Sequence, residues 1–166
     1  CRELMDRCVE VGIAFAEAQI AAGADTVGIG DAIASQVTPD FYHAEIQPRE
    51  ARLVRAIQAK GAWAKLHICG DITKLLPGIA GLGLDILDVD HMVDLRAVRS
   101  AVGPRVVIAG NVDPVAVVSR GTPEGIRAAL GRCYAAAGNP FMVNAGCEIP
   151  PGTPPANLHA FCAPSA

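Results

Sequence analysis

Residues 63–90 read WAKLHICGDITKLLPGIAGLGLDILDVD, and the succession of patterns in this stretch decides the fold. It opens with a short apolar run, continues through a helix-like segment, and closes with a second apolar run that ends in an acid. Short apolar runs bounded by glycine or polar residues are typical of buried strands. Two such runs joined by a helical segment predict a β-α-β unit with parallel strands.

The same alternation continues on both sides of this unit. We predict strands over residues 25–31, 63–69, 85–90, 105–111 and 141–147. Helices are predicted over residues 4–21, 48–60, 72–83, 93–102, from 122 to about 137, and in a short segment after 153. Repeated β-α alternation with nearly continuous apolar strands predicts an α/β fold, in which helices cover a parallel sheet.

Polar residues at the strand ends favour a barrel over a doubly wound sheet. They follow each predicted strand: Asp31; His67 and Cys69; Asp90 and His91; Asn111 and Asp113; Asn144 and Cys147. In a (β/α)8 TIM barrel these ends converge on one mouth. No GxGxxG or GxxxxGK[ST] motif follows a strand, so phosphate-binding folds lose support. Because such barrels need about 250 residues, we interpret residues 1–166 as a single domain that forms the C-terminal part of one.

Composition restricts the classes of function. The chain has 166 residues, of which 51% are hydrophobic, and a net charge of −3, so it can fill a core. Lys and Arg are not concentrated anywhere and aromatic residues are few, which argues against nucleic-acid binding. The apolar stretches are too short to span a membrane, and no signal peptide is visible. Six cysteines in such a chain favour free thiols in the cytoplasm over disulfides.

The strongest chemical signal is His67 and Cys69 together with Cys147. Residues i and i+2 of a strand point the same way, so His67 and Cys69 can face one point. Cys147 follows a later strand and can reach the same mouth. One imidazole and two thiolates suit Zn²⁺ and leave a fourth position open, as in catalytic zinc sites. A core histidine beside an inert buried cysteine explains the H-x-C pair equally well.

Four further polar residues are candidates for the site. We predict Glu148 and Asp90 as catalytic residues: Glu148 adjoins Cys147 and can serve as a fourth ligand or an acceptor for His67, whereas Asp90 ends a strand. Asp31 and Asn111 are predicted to bind the cofactor. Structural roles stay open for all four, as a solvated turn carboxylate for Glu148 and as a cap of the following turn for Asn111.

Four longer segments carry a family resemblance. They are HICGDITKLLPGIAGLGLDILDVDHMVDL, VVIAGNVDPV, GTPEGIR and VNAGCEIPPGTPPANLHAF. Together they resemble the uroporphyrinogen decarboxylase superfamily from about Gly23 to Phe161. The resemblance implies a TIM barrel, in agreement with the strand pattern.

Two branches of this superfamily differ at the site. The decarboxylases carry a histidine where this chain has Cys147, and a serine where it has Ala32. The cobamide-dependent methyltransferases carry an H-x-C pair and a later cysteine as zinc ligands, which His67, Cys69 and Cys147 match. The resemblance therefore implies these three residues as the metal ligands.

The methyltransferase branch implies a function and its partners. We expect a zinc-dependent enzyme that moves a methyl group from methylcobalamin, held on a separate corrinoid protein, to a zinc-activated thiol or similar small acceptor. A tetrapyrrole decarboxylase is the alternative with the same fold, and a non-catalytic corrinoid- or metal-binding module is the alternative of another class. The open strand edges of a partial barrel also predict a homodimer.

Overall fold

The computed structural model describes residues 1–163, which fold into one parallel sheet with helices around it. The strands are β1 (Thr26–Gly30), β2 (Trp63–Ile68), β3 (Ile86–Val89), β4 (Val107–Val112) and β5 (Phe141–Ala145). All neighbours pair in parallel, in the order β1-β2-β3-β4-β5. This order has no reversal, whereas a doubly wound sheet reverses its strand order at a switch point. The predicted five-stranded, barrel-like α/β fold is therefore confirmed.

Helices follow or precede every strand. They are α1 (Arg2–Ala21), α2 (Pro39–Phe41), α3 (Gln47–Ala59), α4 (Leu76–Ala80), α5 (Leu95–Val102), α6 (Pro123–Ala137) and α7 (Pro155–Cys162). Thr122 caps α6 by accepting from the backbone N–H of Gly125, as its position before Pro123 predicted. Among the described residues, no helix is both long and apolar enough to cross a membrane.

Side chains alternate along β2, so the core residues and the candidate site residues lie on opposite faces of the sheet. Ala64, Leu66 and Ile68 are fully buried and belong to the main hydrophobic core. Lys65 and His67 lie on the opposite face, since side chains alternate along a strand. The functional side chains therefore project from the face of the sheet that the main core leaves free.

One helix begins earlier than the sequence pattern predicted. The prediction placed its start at Pro48, but α2 begins at Pro39 and runs through a π-helical turn, Tyr42–Ile46, into α3. Thr38 caps this start by accepting from the N–H of Phe41. Threonine followed by proline is a helix-start signal, so Thr38 and Pro39 could have predicted this start. The prediction chose Pro48 instead, because a proline usually lies in the first turn of a helix and not in its interior.

Arg99 of α5 fixes the approach to β5. Its guanidinium donates to the carbonyl oxygens of Ala137 at 2.7 Å, Val106 at 2.8 Å and Pro140 at 2.7 Å. A guanidinium carries five donors in a fixed planar arrangement, so it can satisfy several carbonyls at once. These bonds join α5, the start of β4 and the turn before β5, and so set the position of the strand that leads to Cys147.

Candidate metal centre

His67, Cys69 and Cys147 converge at the carboxyl ends of β2 and β5. The Nε2 atom of His67 lies 3.2 Å from the Sγ of Cys69, and that sulfur lies 3.9 Å from the Sγ of Cys147. The three donor atoms all lie within 4.8 Å of one another. The structure thus brings together residues 78 positions apart in the sequence, as the barrel interpretation requires.

The spacing of the donor atoms fits a tetrahedral zinc site. Zn–S and Zn–N bonds of about 2.3 and 2.0 Å in a tetrahedron separate two sulfurs by about 3.8 Å, and a nitrogen from a sulfur by about 3.5 Å. Two observed separations, 3.9 and 3.2 Å, lie close to these values, and the third, between His67 and Cys147, is within 4.8 Å. Cys147 is exposed and the other two side chains are half-buried, so the three donor atoms can be reached from solvent.

The second ring nitrogen of His67 faces a carboxylate. Its Nδ1 is buried, has no hydrogen-bond partner, and lies 3.6 Å from the Oδ1 of Asp88. The interaction with Asp88 raises the pKa of His67 above its usual value, although burial opposes the charge. Burial likewise opposes ionisation of Asp88, but His67, Lys65 and Asn144 together lower its pKa. The other ring nitrogen, Nε2, lies on the side of the Cys69 thiol.

The thiol of Cys69 resists ionisation when no metal is present. Burial, followed by its hydrogen bond with Cys147, raises the pKa of Cys69. Two neighbouring thiolates repel each other, so a cation that binds both has to displace their protons. Metal binding at this site is therefore expected to release protons and to weaken as the pH falls.

Asp90, predicted as a catalytic residue, holds the loop that carries Cys69. It is buried, and its Oδ2 accepts from the backbone N–H of Gly70 at 2.7 Å. Its Oδ1 accepts from the backbone N–H of His91 at 2.6 Å and lies 2.6 Å from the Nδ1 of that residue. Both oxygens are thus engaged in holding loop structure beside the first thiol.

The other predicted residues take different places around this centre. Asn111 donates to the carbonyl oxygens of Asp90 at 3.0 Å and Val93 at 2.7 Å, so it fixes the turn after β3. Asp31 accepts from the backbone N–H groups of Ile33 and Ala34 after β1. Glu148 is exposed and does not join the three-residue group within the described part of the chain. Their proposed roles in catalysis and cofactor binding stay predictions.

Sequence reasoning missed two polar residues beneath the ligands. Asp88 is 4% exposed, and Lys65 donates to its Oδ2 at 2.7 Å. A signal for both was present, because Lys65, His67 and Cys69 alternate along one strand, as do Asp88 and Asp90 along the next. A charged residue inside an otherwise apolar strand indicates that its side chain has partners on a neighbouring strand.

Two surface cavities differ in their relation to this centre. One of about 510 Å³ borders the Cys69 loop and is lined by Ser35, Gln36, Gly70, Asp71, Lys74 and Met92. A larger one of about 630 Å³ lies at the amino ends of the strands, beside Trp63 and Pro104. The smaller cavity therefore lies beside the two residues that follow Cys69, whereas the larger one lies at the opposite end of the strands.

Known proteins resemble most of this chain. The methylcobamide:CoM methyltransferase MtbA of Methanosarcina mazei is 36% identical over 157 residues, which cover 93% of this chain and 45% of MtbA. The uroporphyrinogen decarboxylase of Saccharophagus degradans is 31% identical over 165 residues, covering 96% of this chain and 46% of the relative. The chain spans less than half the length of both relatives.

A solved structure and a family model agree with these relatives. The structure of a methyltransferase from Methanosarcina mazei superimposes with a TM-score of 0.83 at 26% identity, over 92% of this chain and 45% of the other. The model of the uroporphyrinogen decarboxylase (URO-D) family matches residues 1–164. Fold, sequence and the arrangement of strand ends therefore agree, and the chain belongs to the uroporphyrinogen decarboxylase family.

Proposed function

We propose that this chain provides the zinc-binding part of a methyltransferase, which moves a methyl group from a methylated corrinoid on a partner protein to a thiol or similar small acceptor. The observation that carries the proposal is the convergence of His67, Cys69 and Cys147 within 4.8 Å. The relatives named as methylcobamide:CoM methyltransferases support the direction of the reaction. Zinc, when bound, would lower the pKa of an acceptor thiol and keep it nucleophilic at neutral pH.

The residues of this chain would prepare the site in three ways. His67, Cys69 and Cys147 would supply three donor atoms and leave one position open for the acceptor. The two cysteines would make the donor set electron-rich, which favours a reactive bound thiol over strong Lewis acidity. The exposure of Cys147 supports a site that a protein-bound corrinoid can approach.

The decarboxylase alternative rests on relatives such as that of Saccharophagus degradans. Decarboxylation of a tetrapyrrole requires no metal, so it gives no role to two thiols and an imidazole at one point. The arrangement of the donor atoms is therefore better explained by a metal-dependent activity. A metal-binding module without catalysis would share the site, and only an assay of methyl transfer separates it from the enzyme.

The domain organisation and location belong to the same proposal. Residues 1–166 would form the C-terminal part of a barrel, since β1 and β5 are the outer strands of the sheet in the described region. The exposed Leu4, Val11 and Phe15 of α1 form an apolar surface that favours a homodimer. A cytoplasmic location is proposed because the two site thiols must stay reduced to bind metal. Light scattering after size exclusion checks the dimer, and a stable monomer contradicts it.

Two successive measurements, first of zinc content and then of methyl transfer, test the proposal. The chelator-washed protein, reloaded with zinc, should retain about one equivalent, and Cys147→Ala should retain little. Cys162→Ala is the matched control, because Cys162 is also exposed but lies in α7. Protein that binds zinc is then given methylcobalamin and a small thiol, and demethylation is followed by absorbance. Zinc retention unchanged by Cys147→Ala contradicts the metal site; demethylation that is lost in Cys147→Ala and kept in Cys162→Ala supports the enzyme over the binding module.

A further inference from the structure

Asp88 is a buried carboxylate in the middle of the most buried strand. All four residues of β3 are buried, and Asp88 is 4% exposed. It pairs in register with His67 on the neighbouring strand β2. An ionised carboxylate taken out of water is costly unless other groups hydrogen-bond to it or neutralise it. The groups that contact the Asp88 carboxylate therefore indicate its role.

Two partners hold the Asp88 carboxylate from opposite sides. The Nδ2 of Asn144 on β5 lies 2.9 Å from both carboxylate oxygens. The Nζ of Lys65 on β2 lies 2.7 Å from Oδ2 and balances its charge. These contacts join strands that also lead to the metal ligands, since Lys65 precedes His67 and Asn144 precedes Cys147. The carboxylate is thus fixed in place independently of His67.

His67 completes the arrangement from the third side. Its Nδ1 is buried and has no hydrogen-bond partner, although the Oδ1 of Asp88 lies 3.6 Å away. A hydrogen bond between these atoms needs about 2.9 Å, so a shift of under about 1 Å closes it. When Nε2 binds a metal, the proton of the neutral imidazole has to reside on Nδ1. That N–H then points at the only carboxylate close to it among the described residues.

We propose that Asp88 is a positioning residue, which accepts the Nδ1–H of His67 and so keeps Nε2 aimed at the two site thiols. Asn144 acts through it by fixing the carboxylate, and Lys65 balances the charge. The inference rests on the proposed zinc site and deepens it, since it assigns the residue that orients the histidine ligand. A purely structural role for Asp88, as the counter-ion of Lys65, is the competing explanation.

Zinc affinity, measured by competition with a chromophoric chelator, tests the proposal. Partners that orient a metal-bound histidine typically contribute about 10- to 100-fold in affinity. We therefore expect Asp88→Ala to lose affinity in that range and Asp88→Asn, which keeps one acceptor oxygen, to lose less. Asp94→Asn is the matched control, because Asp94 is an exposed cap of α5, and it should bind zinc like the parent. A folded Asp88→Ala variant with the affinity of the parent overturns the proposal.

Lys65→Met separates positioning from ion pairing. This substitution breaks the ion pair with Asp88, so the melting temperature should fall. It leaves the carboxylate that accepts from His67, so zinc affinity should change by less than about threefold, which is below the range expected when the histidine loses its partner. If Lys65→Met weakens zinc binding as much as Asp88→Ala does, the ion pair is what matters and the proposal is overturned. If Asp88→Ala does not fold, Asn144→Ala replaces it as the test. This variant removes the hydrogen bonds that fix the Asp88 carboxylate, so a several-fold loss of zinc affinity is expected.

The ring proton of His67 gives a second measurement, independent of activity. In the zinc-loaded parent, NMR should show an Nδ1 proton that exchanges slowly with water, because Asp88 accepts it. The signal should exchange fast in Asp88→Ala and remain slow in Lys65→Met. Fast exchange in the parent overturns the proposal. His67→Ala is the reference: if it binds zinc as tightly as the parent, the metal site itself is wrong, whereas a failure confined to Asp88→Ala leaves that site intact.

Discussion

Gly146 lies directly against the backbone of His91, and this contact places Cys147. A β-carbon at position 146 would overlap the backbone nitrogen of His91 and approach the carbonyl carbon of Asp90 to 3.0 Å. The backbone N–H of Gly146 also donates to the carbonyl of Val112 at 2.8 Å. The loop after β5 therefore rests on the turn after β3, and the second thiol is held 3.9 Å from the first.

Gly146→Ala should consequently displace Cys147. Both neighbouring groups are backbone atoms, which cannot rotate away, so the loop has to move. We expect zinc affinity to fall at least about tenfold and stability to fall by about 1–3 kcal/mol, as overpacked sites do. The measurements are chelator competition and urea unfolding. Gly131→Ala is the control, because Gly131 is exposed in α6 with no atom within 4 Å of an added β-carbon; unchanged zinc affinity in Gly146→Ala contradicts the prediction.

Asp90 should affect the metal site by holding the backbone beside Cys69, and not by taking part in methyl transfer. Asp90→Ala leaves the N–H of Gly70 without its 2.7 Å acceptor, and a buried donor without a partner costs about 1–3 kcal/mol. We expect lower stability and weaker zinc binding, with Asp90→Asn in between because it keeps one acceptor oxygen. Thermal unfolding and zinc competition check this. Methyl transfer lost from an Asp90→Asn variant with normal stability and zinc content would instead support the catalytic role predicted from the sequence.

The sequence revealed much of the fold because its strands are short apolar runs with polar ends. Alternation placed His67 and Cys69 on one side, and the parallel topology brought Cys147 to the same edge. The sequence pattern does not distinguish polar residues that hydrogen-bond to the loops from polar residues that are free to contact a substrate. Asp90 and Asn111 look alike in sequence, and only the structure shows that they contact Gly70 and the turn after β3. Asp88 escaped notice because it lies inside a strand.

Glu50 should make stability depend on pH away from the metal site. It is 6% exposed, and burial raises its pKa to about 7, although the hydroxyl of Tyr42 donates to it at 2.5 Å. In the unfolded chain a glutamate titrates near about 4.3. The folded state therefore binds the proton more tightly, and the stabilisation is complete below about pH 4 and is lost as the pH rises through 7.

Comparison with Glu50→Gln isolates this contribution. The amide is neutral at every pH and can still accept from Tyr42. The free energy of unfolding of the parent should fall relative to that of Glu50→Gln by on the order of 3 kcal/mol between pH 4.5 and 8. Urea unfolding of zinc-free protein at several pH values measures the difference. A difference that is constant across this range, or that grows in favour of the parent with rising pH, contradicts the prediction.

The two site thiols should also form a disulfide when no metal protects them. Their sulfur atoms lie 3.9 Å apart, and a disulfide needs about 2.05 Å, so a small movement of the exposed Cys147 loop suffices. Oxidised glutathione accepts the two electrons: one thiolate attacks it to give a mixed disulfide and one glutathione, and the second site thiol then displaces the other glutathione. Zinc occupies both sulfurs, so the zinc-loaded protein should resist this reaction.

Mass spectrometry after alkylation in denaturant reads out the result. Of the six cysteines, zinc-free protein should lose two alkylation sites after treatment, and peptide mapping should find Cys69 joined to Cys147. Cys147→Ala should stop at the mixed disulfide, since it lacks the resolving thiol, whereas Cys162→Ala should still form the internal link. Equal oxidation with and without zinc would mean that the metal does not hold these sulfurs. A link to any other cysteine would mean that the two thiols do not lie together in solution.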